Sequence, residues 1–135
     1  MLMLKQVAEW IKEIDTELPG CIAVGTIDGN KEKYIGVYND PNASGKQRVC
    51  LGGIAQTTYR EKRVTLLVHW TNSAVQAEKK AAELYEKLCG RSGFQIGEVK
   101  IVYLDPGAAP VSVGRDVRGI YEYVINMKII YERMG

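Results

Sequence analysis

A chain of 135 residues, 46% apolar and 25% charged, can bury one core without disulfide or metal staples and is too apolar for disorder. Its net charge of +2 excludes the strongly basic balance that marks a nucleic-acid binder, and no run approaches the roughly 20 apolar residues that span a bilayer. Nothing at its start reads as a secretion signal, so the expectation is one domain, residues 1–135, made and kept in the cytoplasm unless something packages it.

The first predicted element is a helix from about Leu2 to Glu17. Leu4, Val7, Ile11, Ile14 and Leu18 recur at three- and four-residue steps with Trp10 beside them, and Pro19-Gly20 stops the run. A short apolar strand, Cys21 to Ile27, follows. Asp28-Gly29-Asn30 is a turn signal and Tyr34 to Tyr38 a returning strand, which together predict a hairpin. Asn39 to Lys46 is a loop by composition, broken by Asp40-Pro41 and Ser44-Gly45. Val49 to Ile54 reads as a weak strand.

Arg63 to Trp70 is a strong strand, with Val64, Leu66, Val68 and Trp70 on one face and Thr65, Leu67 and His69 on the other. Thr71, Asn72 and Ser73 offer N-caps to a second helix that ends near Cys89-Gly90. Its predicted inner face is Ala74, Ala77, Ala81, Leu84, Tyr85 and Leu88. Glu98 to Leu104 is another strand, ended by Asp105-Pro106-Gly107. A Gly- and charge-rich turn from Pro110 then leads into one long final strand. Tyr121, Tyr123, Ile125, Met127, Ile129 and Tyr131 share one face of it; Ile120, Glu122, Val124, Asn126, Lys128 and Ile130 share the other. A strand of this length either crosses the whole sheet or projects beyond it and offers unpaired backbone to a neighbour.

This order predicts an α+β fold: a single-layer, mostly antiparallel or mixed sheet with two helices packed on one face. The sheet is mixed if the crossover through the second helix returns the chain parallel to a neighbour.

Chemistry-bearing motifs are missing where an enzyme would need them. Ser44-Gly45-Lys46 is followed by Gln47, and Asp40 stands at the first glycine of a phosphate loop, so backbone amides cannot wrap a phosphate there. Gly25, Gly29 and Gly36 are followed by no helix and make no dinucleotide fingerprint. Cys21, Cys50 and Cys89 form no CxxC pair, and His69 is the sole histidine; reduced thiols and a core or edge histidine are the plain reading, with no metal site or cofactor. Asp105 and Asp116 can meet in space, yet loop aspartates are usually turn formers. The sequence thus predicts no enzyme, no small-molecule substrate and no membrane partner.

Lys31, Lys33, Lys46 and Arg48, then Arg60, Lys62 and Arg63, then Arg115 and Arg118 can line an anion-facing surface, although acids interleave with them. Contact of these basic loops with nucleic acid stays open. The helix–strand–strand–strand–helix order, with Lys79-Lys80 in the second helix, resembles double-stranded-RNA-binding domains, whose lysines at the start of that helix grip phosphates. Here that start, Asn72 to Gln76, carries no lysine.

HWTNSAVQAEKKAAELYEKL (His69 to Leu88) and PVSVGRDVRGIYEYVINMKIIYER (Pro110 to Arg133) together resemble minor capsid proteins of phages and prophages of Gram-positive bacteria. Those proteins are similar in plan to the tail terminators of long-tailed phages. The resemblance implies an α+β subunit that forms a ring, commonly a hexamer, at the head-proximal end of the tail, and that is monomeric or weakly associated alone. There it stops growth of the tail tube and presents a surface to the head–tail connector, a virion role needing no substrate, metal or cofactor. The recurring turn matches Gly114-Arg115-Asp116 and Arg118 to Tyr123, with Val117 where relatives often carry a charge. Candidate subunit or partner contacts are Lys46, Arg48, Arg115, Asp116, Arg118, Tyr121 and Tyr123, because tyrosine suits interfaces that keep one end wet. The plain alternative is that Tyr121, Tyr123 and Tyr131 cover the core beneath the helices.

Overall fold

The computed structural model describes residues 2–15, 21–25, 32–40 and 59–132. Over these the chain runs α1 (Leu4–Ile14), β1 (Ile22–Val24), β2 (Lys33–Asn39), β3 (Tyr59–Trp70), α2 (Ala74–Leu88), β4 (Ser92–Ile96), β5 (Val99–Asp105), β6 (Val111–Arg115) and β7 (Tyr121–Glu132). The strands form one sheet in the order β1-β2-β3-β7-β5-β4, and β6 also pairs with β7. The fold is α+β, as the element order implies.

Period-two patterning decides which face is covered. Val64, Leu66, Val68 and Trp70 of β3 and Ile125, Met127, Ile129 and Tyr131 of β7 are buried. They meet Val7, Trp10 and Ile11 of α1 and Ala77, Ala81, Leu84 and Leu88 of α2 in one cluster, so both helices sit on that face. Each such Val, Leu or Ile side chain contributes about 1.5–3 kcal/mol by leaving water. The surface pair Glu9–Lys12, at 3.6 Å and largely exposed, contributes only about 0.3 kcal/mol. Burial, not surface charge, holds the helices down.

Several expectations are corrected. β1 and β2 pair in parallel, Ile22 with Ile35 through Val24 with Val37, so they make no hairpin. A three-residue strand is only about 10 Å long, and the connection from Gly25 to Glu32 has ample reach to return to the starting end. The sheet is mixed through this pair; β4, β5, β6 and β7, all after α2, pair antiparallel. β3 begins at Tyr59, not Arg63, because backbone pairing with β7 continues through Arg60, Glu61 and Lys62 despite their polarity. β4 is a strand with no counterpart among the predicted elements. It pairs with β5 across a two-residue turn, Ile96 opposite Val99, where Gly97 supplies the positive φ of +60°. Ala74 is exposed at the start of α2. Leu18, the 28–30 turn and the Val49 to Ile54 strand lie outside the described residues.

α2 also buries a charge. Lys80, at 3% exposure, donates to Asp15 Oδ2 at 2.6 Å, and Asp15 is fully buried. Asp15 caps the end of α1, so this pair ties the helices to each other. Lys87 stands 3.6 Å from the other carboxylate oxygen, and the Trp70 ring lies 4.9 Å beneath the Lys80 ammonium. The ion pair is thus held by an aromatic face and a second cation. Removing one member of a buried pair leaves an uncompensated charge. Lys80→Ala is therefore expected to cost about 3 kcal/mol in chemical denaturation, the Asp15→Asn/Lys80→Met double variant less, and Glu9→Ala under about 0.5 kcal/mol. A Lys80→Ala cost equal to that of Glu9→Ala would show that the pair contributes nothing.

Candidate interaction surface

β7 is long because three strands use it. One edge is taken by β3 from Tyr59–Glu132 to His69–Glu122. The other is divided: β5 pairs with Lys128 to Tyr131 and β6 with Tyr121 to Val124. β5 and β6 therefore stand end to end along one edge. β5 is covered in turn by β4, whereas β6 has no second strand partner among the described residues. All five β6 residues are exposed. Val111 and Val113 are 57% and 53% exposed, and Val117 in the turn is wholly so. A strand edge with free backbone groups and flanking valines is a template for pairing.

The turn is built by Asp116. One of its carboxylate oxygens accepts the N–H groups of Arg118 and Ile120, each at 2.9 Å. Gly119 supplies a φ of +85°, and the Arg115 guanidinium lies 5.6 Å over the Tyr121 ring. The Ile120 and Arg118 amides, aided by His69 and Arg118, hold the Asp116 carboxyl below its ordinary range against an opposing desolvation effect.

The other carboxylate oxygen of Asp116 faces the sheet. His69, 1% exposed, places Nε2 3.7 Å from it and Nδ1 3.0 Å from Glu122 Oε2. Behind this ring Thr71 holds a φ of +46°, a strained conformation for a β-branched residue. Two hydrogen bonds fix it: its N–H donates to the Glu32 carbonyl at 2.8 Å and its carbonyl accepts from Tyr121 N–H at 3.0 Å. Nearby, burial raises the Tyr38 phenol, helped by Glu122 and then Tyr34.

The far end of the open face carries a depression of about 200 Å³ lined by Asp40, Arg63, Asp105, Asn126 and Lys128 among others. Its charges pair locally, Glu61 with Arg63 at 3.0 Å and with Lys128 at 3.9 Å. Asp105 sits opposite Lys128 and Asp116 beside His69, roughly 20 Å apart along β7, so the two aspartates do not meet. The basic positions do not converge either. Lys62 donates to Asn39 and its ammonium pKa is lowered by burial; Arg63 pairs with Glu61 on the opposite face; Lys33 lies over Trp70 at 5.4 Å.

Of the sequence candidates, the structure brings together Arg115, Asp116, Arg118 and Tyr121 in one hairpin. Tyr121 and Tyr123 pack partly against the core, and Tyr131 is buried. Lys31, Lys46 and Arg48 lie outside the described residues. Val111, Val113 and the His69–Asp116–Glu122 cluster were missed; the Val-Ser-Val alternation ahead of Gly114 was the available signal for β6. Among the described residues no three His, Cys, Asp or Glu side chains converge on a metal position, and no helix is long and apolar enough to cross a membrane.

The family model described as bacteriophage tail terminator protein matches residues 4–133. No curated protein matches the chain. A solved structure of 16% identity covers 97% of this chain and 89% of its own, with a TM-score of 0.48, a likeness too loose to carry a role.

Because Asp116 titrates below its unfolded value, its grip on the turn is complete above the ordinary carboxylate range and is lost as pH falls through the lowered value. Amide exchange at Arg118 and Ile120 is expected to quicken only at that acidic end, while Asp116→Ala removes their protection at every pH. Unchanged protection in Asp116→Ala would refute the cap.

Proposed function

We propose, because this chain belongs to the bacteriophage tail terminator protein family, that its subunits form a ring, of about six copies, which caps the tail tube and joins it to the head. Membership establishes a structural, tail-related virion role. Ring formation, the junctional location and the tube and connector partners are the finer reading.

The observation that carries it is β6, an edge strand exposed along its whole length beside exposed valines. Left in water such an edge invites aggregation; covered by a neighbour it becomes an interface. A closed ring needs two different patches per subunit meeting head to tail. The β6–β7 hairpin supplies one, with Arg115, Asp116, Arg118 and Tyr121 at its tip and Tyr123 further along β7. The isolated subunit is weakly associated, and the ring forms on the tube.

The RNA-binding alternative loses its residues. Lys80 is buried against Asp15, leaving exposed Lys79 as the sole member of that pair facing solvent, and the parallel β1–β2 pair departs from an antiparallel three-stranded plan.

Tails assembled without the protein are expected to be over-long or headless by electron microscopy; tails of normal length that join heads would sink the role. Val113→Asp and Val117→Asp are expected to abolish ring formation on tubes while changing monomer stability by under about 0.5 kcal/mol. Rings that form unimpaired from both variants would remove the hairpin from the interface.

A further inference from the structure

We propose that His69 is a proton-operated latch that fastens the tip of the β6–β7 hairpin to the body of the sheet. The imidazole bridges two elements of different character. Its Nδ1 meets Glu122, the cross-strand neighbour on β7. Its Nε2 faces Asp116, which organises the exposed turn. The ring side chain is 2% exposed and the two carboxylates 20% and 21%, so water competes little at the histidine.

A neutral imidazole carries one N–H and one lone pair. Facing two carboxylates, it can donate to only one, and the geometry gives that bond to Glu122 at 3.0 Å. Nε2 then has no hydrogen-bond partner although it is buried, and at 3.7 Å it lies just beyond hydrogen-bond length from Asp116. A lone pair held towards a carboxylate in a partly desolvated site is repulsive. A second proton reverses the sign. Nε2–H then donates to Asp116, a charge-assisted bond of about 2.8 Å forms, and the turn is drawn on to β3 by less than an ångström.

Among the described residues, the groups that face this ring come from β2, β7 and the turn. Tyr34 is its register partner on β2, Glu122 faces it from β7, and Asp116 from the turn. Arg118 acts on the Asp116 carboxyl, and Tyr38 interacts with Glu122. Burial keeps the Tyr38 phenol in its neutral form. The latch therefore closes when the imidazole is protonated and Asp116 is still ionised. It opens on the alkaline side by loss of the imidazole proton and on the acid side by protonation of Asp116.

The bearing of this latch on assembly rests on the proposed role of the hairpin; the latch itself does not. The chain has a single histidine, so one imidazole signal reports its state in a pH titration of the full chain by NMR. The amides of Val117, Gly119 and Ile120 are expected to shift with the same midpoint as the ring. Asp116→Asn keeps an oxygen for the turn amides but removes the charge facing Nε2, and the coupled amide shifts are expected to be lost while the ring still titrates. His69→Gln is expected to abolish them outright. Amides that ignore the imidazole in the wild type, or that follow it equally in Asp116→Asn, would overturn the latch. Sedimentation of wild type and Asp116→Asn with tail tubes over the same pH range separates the two claims: association that follows the latch supports both, and a working latch with pH-independent association leaves the latch standing and removes the hairpin from the contact.

Discussion

The antiparallel ladder between β3 and β7 is the constraint on which the rest depends. It joins residues some sixty positions apart, from Tyr59–Glu132 to His69–Glu122, and it is the longest pairing in the sheet. Closing so long a loop costs entropy that local contacts cannot offset. The compensation is the inner face of the ladder, where Leu66, Val68, Ile125 and Ile129 are all but fully buried under α1 and α2. Register matters as much as burial. A slip of one residue would turn these side chains outward and bring His69, Glu122 and Lys128 under the helices. Once the ladder is fixed, β2 has one edge to occupy, and β5 and β6 share the other.

Much of this was legible because periodicity is a local signal. The alternation of Val64 to Trp70 and of Tyr121 to Tyr131 gave both faces of the ladder, and the stripe of Val7 and Ile11 placed α1. Other features depend on partners distant in sequence. Lys80 looks like any solvent-facing helix lysine; only the fold brings Asp15, sixty-five positions away, to within 2.6 Å. The direction of β1 is set by the route of the chain, and Asp28-Gly29-Asn30 argues equally well for a hairpin that is not made. β6 was hidden for a different reason. Pro110, Gly114 and Gly119 are turn residues by any reading, and the glycines do serve turns and a register shift. The short Val-Ser-Val run between them lacks the length that normally identifies a strand.

The same split explains what could be said of the candidate contacts. Arg115, Asp116 and Arg118 share one hairpin because they are neighbours in sequence. Tyr121 and Tyr123 have mixed roles that sequence cannot apportion: their inner-face positions turn them towards the core, while their place at the strand's beginning leaves them half-buried. The histidine needed three dimensions. Strand pairing with β7 brings Glu122 to one nitrogen, and only the fold-back of the β6–β7 turn brings Asp116 to the other.

An edge strand in a small sheet meets two physical demands that pull against each other: its outer backbone groups are left to solvent, and its register must still be held. The hairpin divides them along its length. Val111, Val113 and Val117 leave apolar surface exposed. The turn end is over-determined instead. Thr71 persists at a φ of +46°, a conformation costing about 1–3 kcal/mol, because bonds to Glu32, just ahead of β2, and to Tyr121 of β7 hold it there. That strain is tolerable only where the surrounding ladder is rigid, and it occurs one residue beyond the end of β3, beside the buried imidazole. The strained backbone, the histidine between two carboxylates and the first backbone bond of β7 thus occupy one place. It is the fixed point between the buried face of the ladder and the exposed edge of β6.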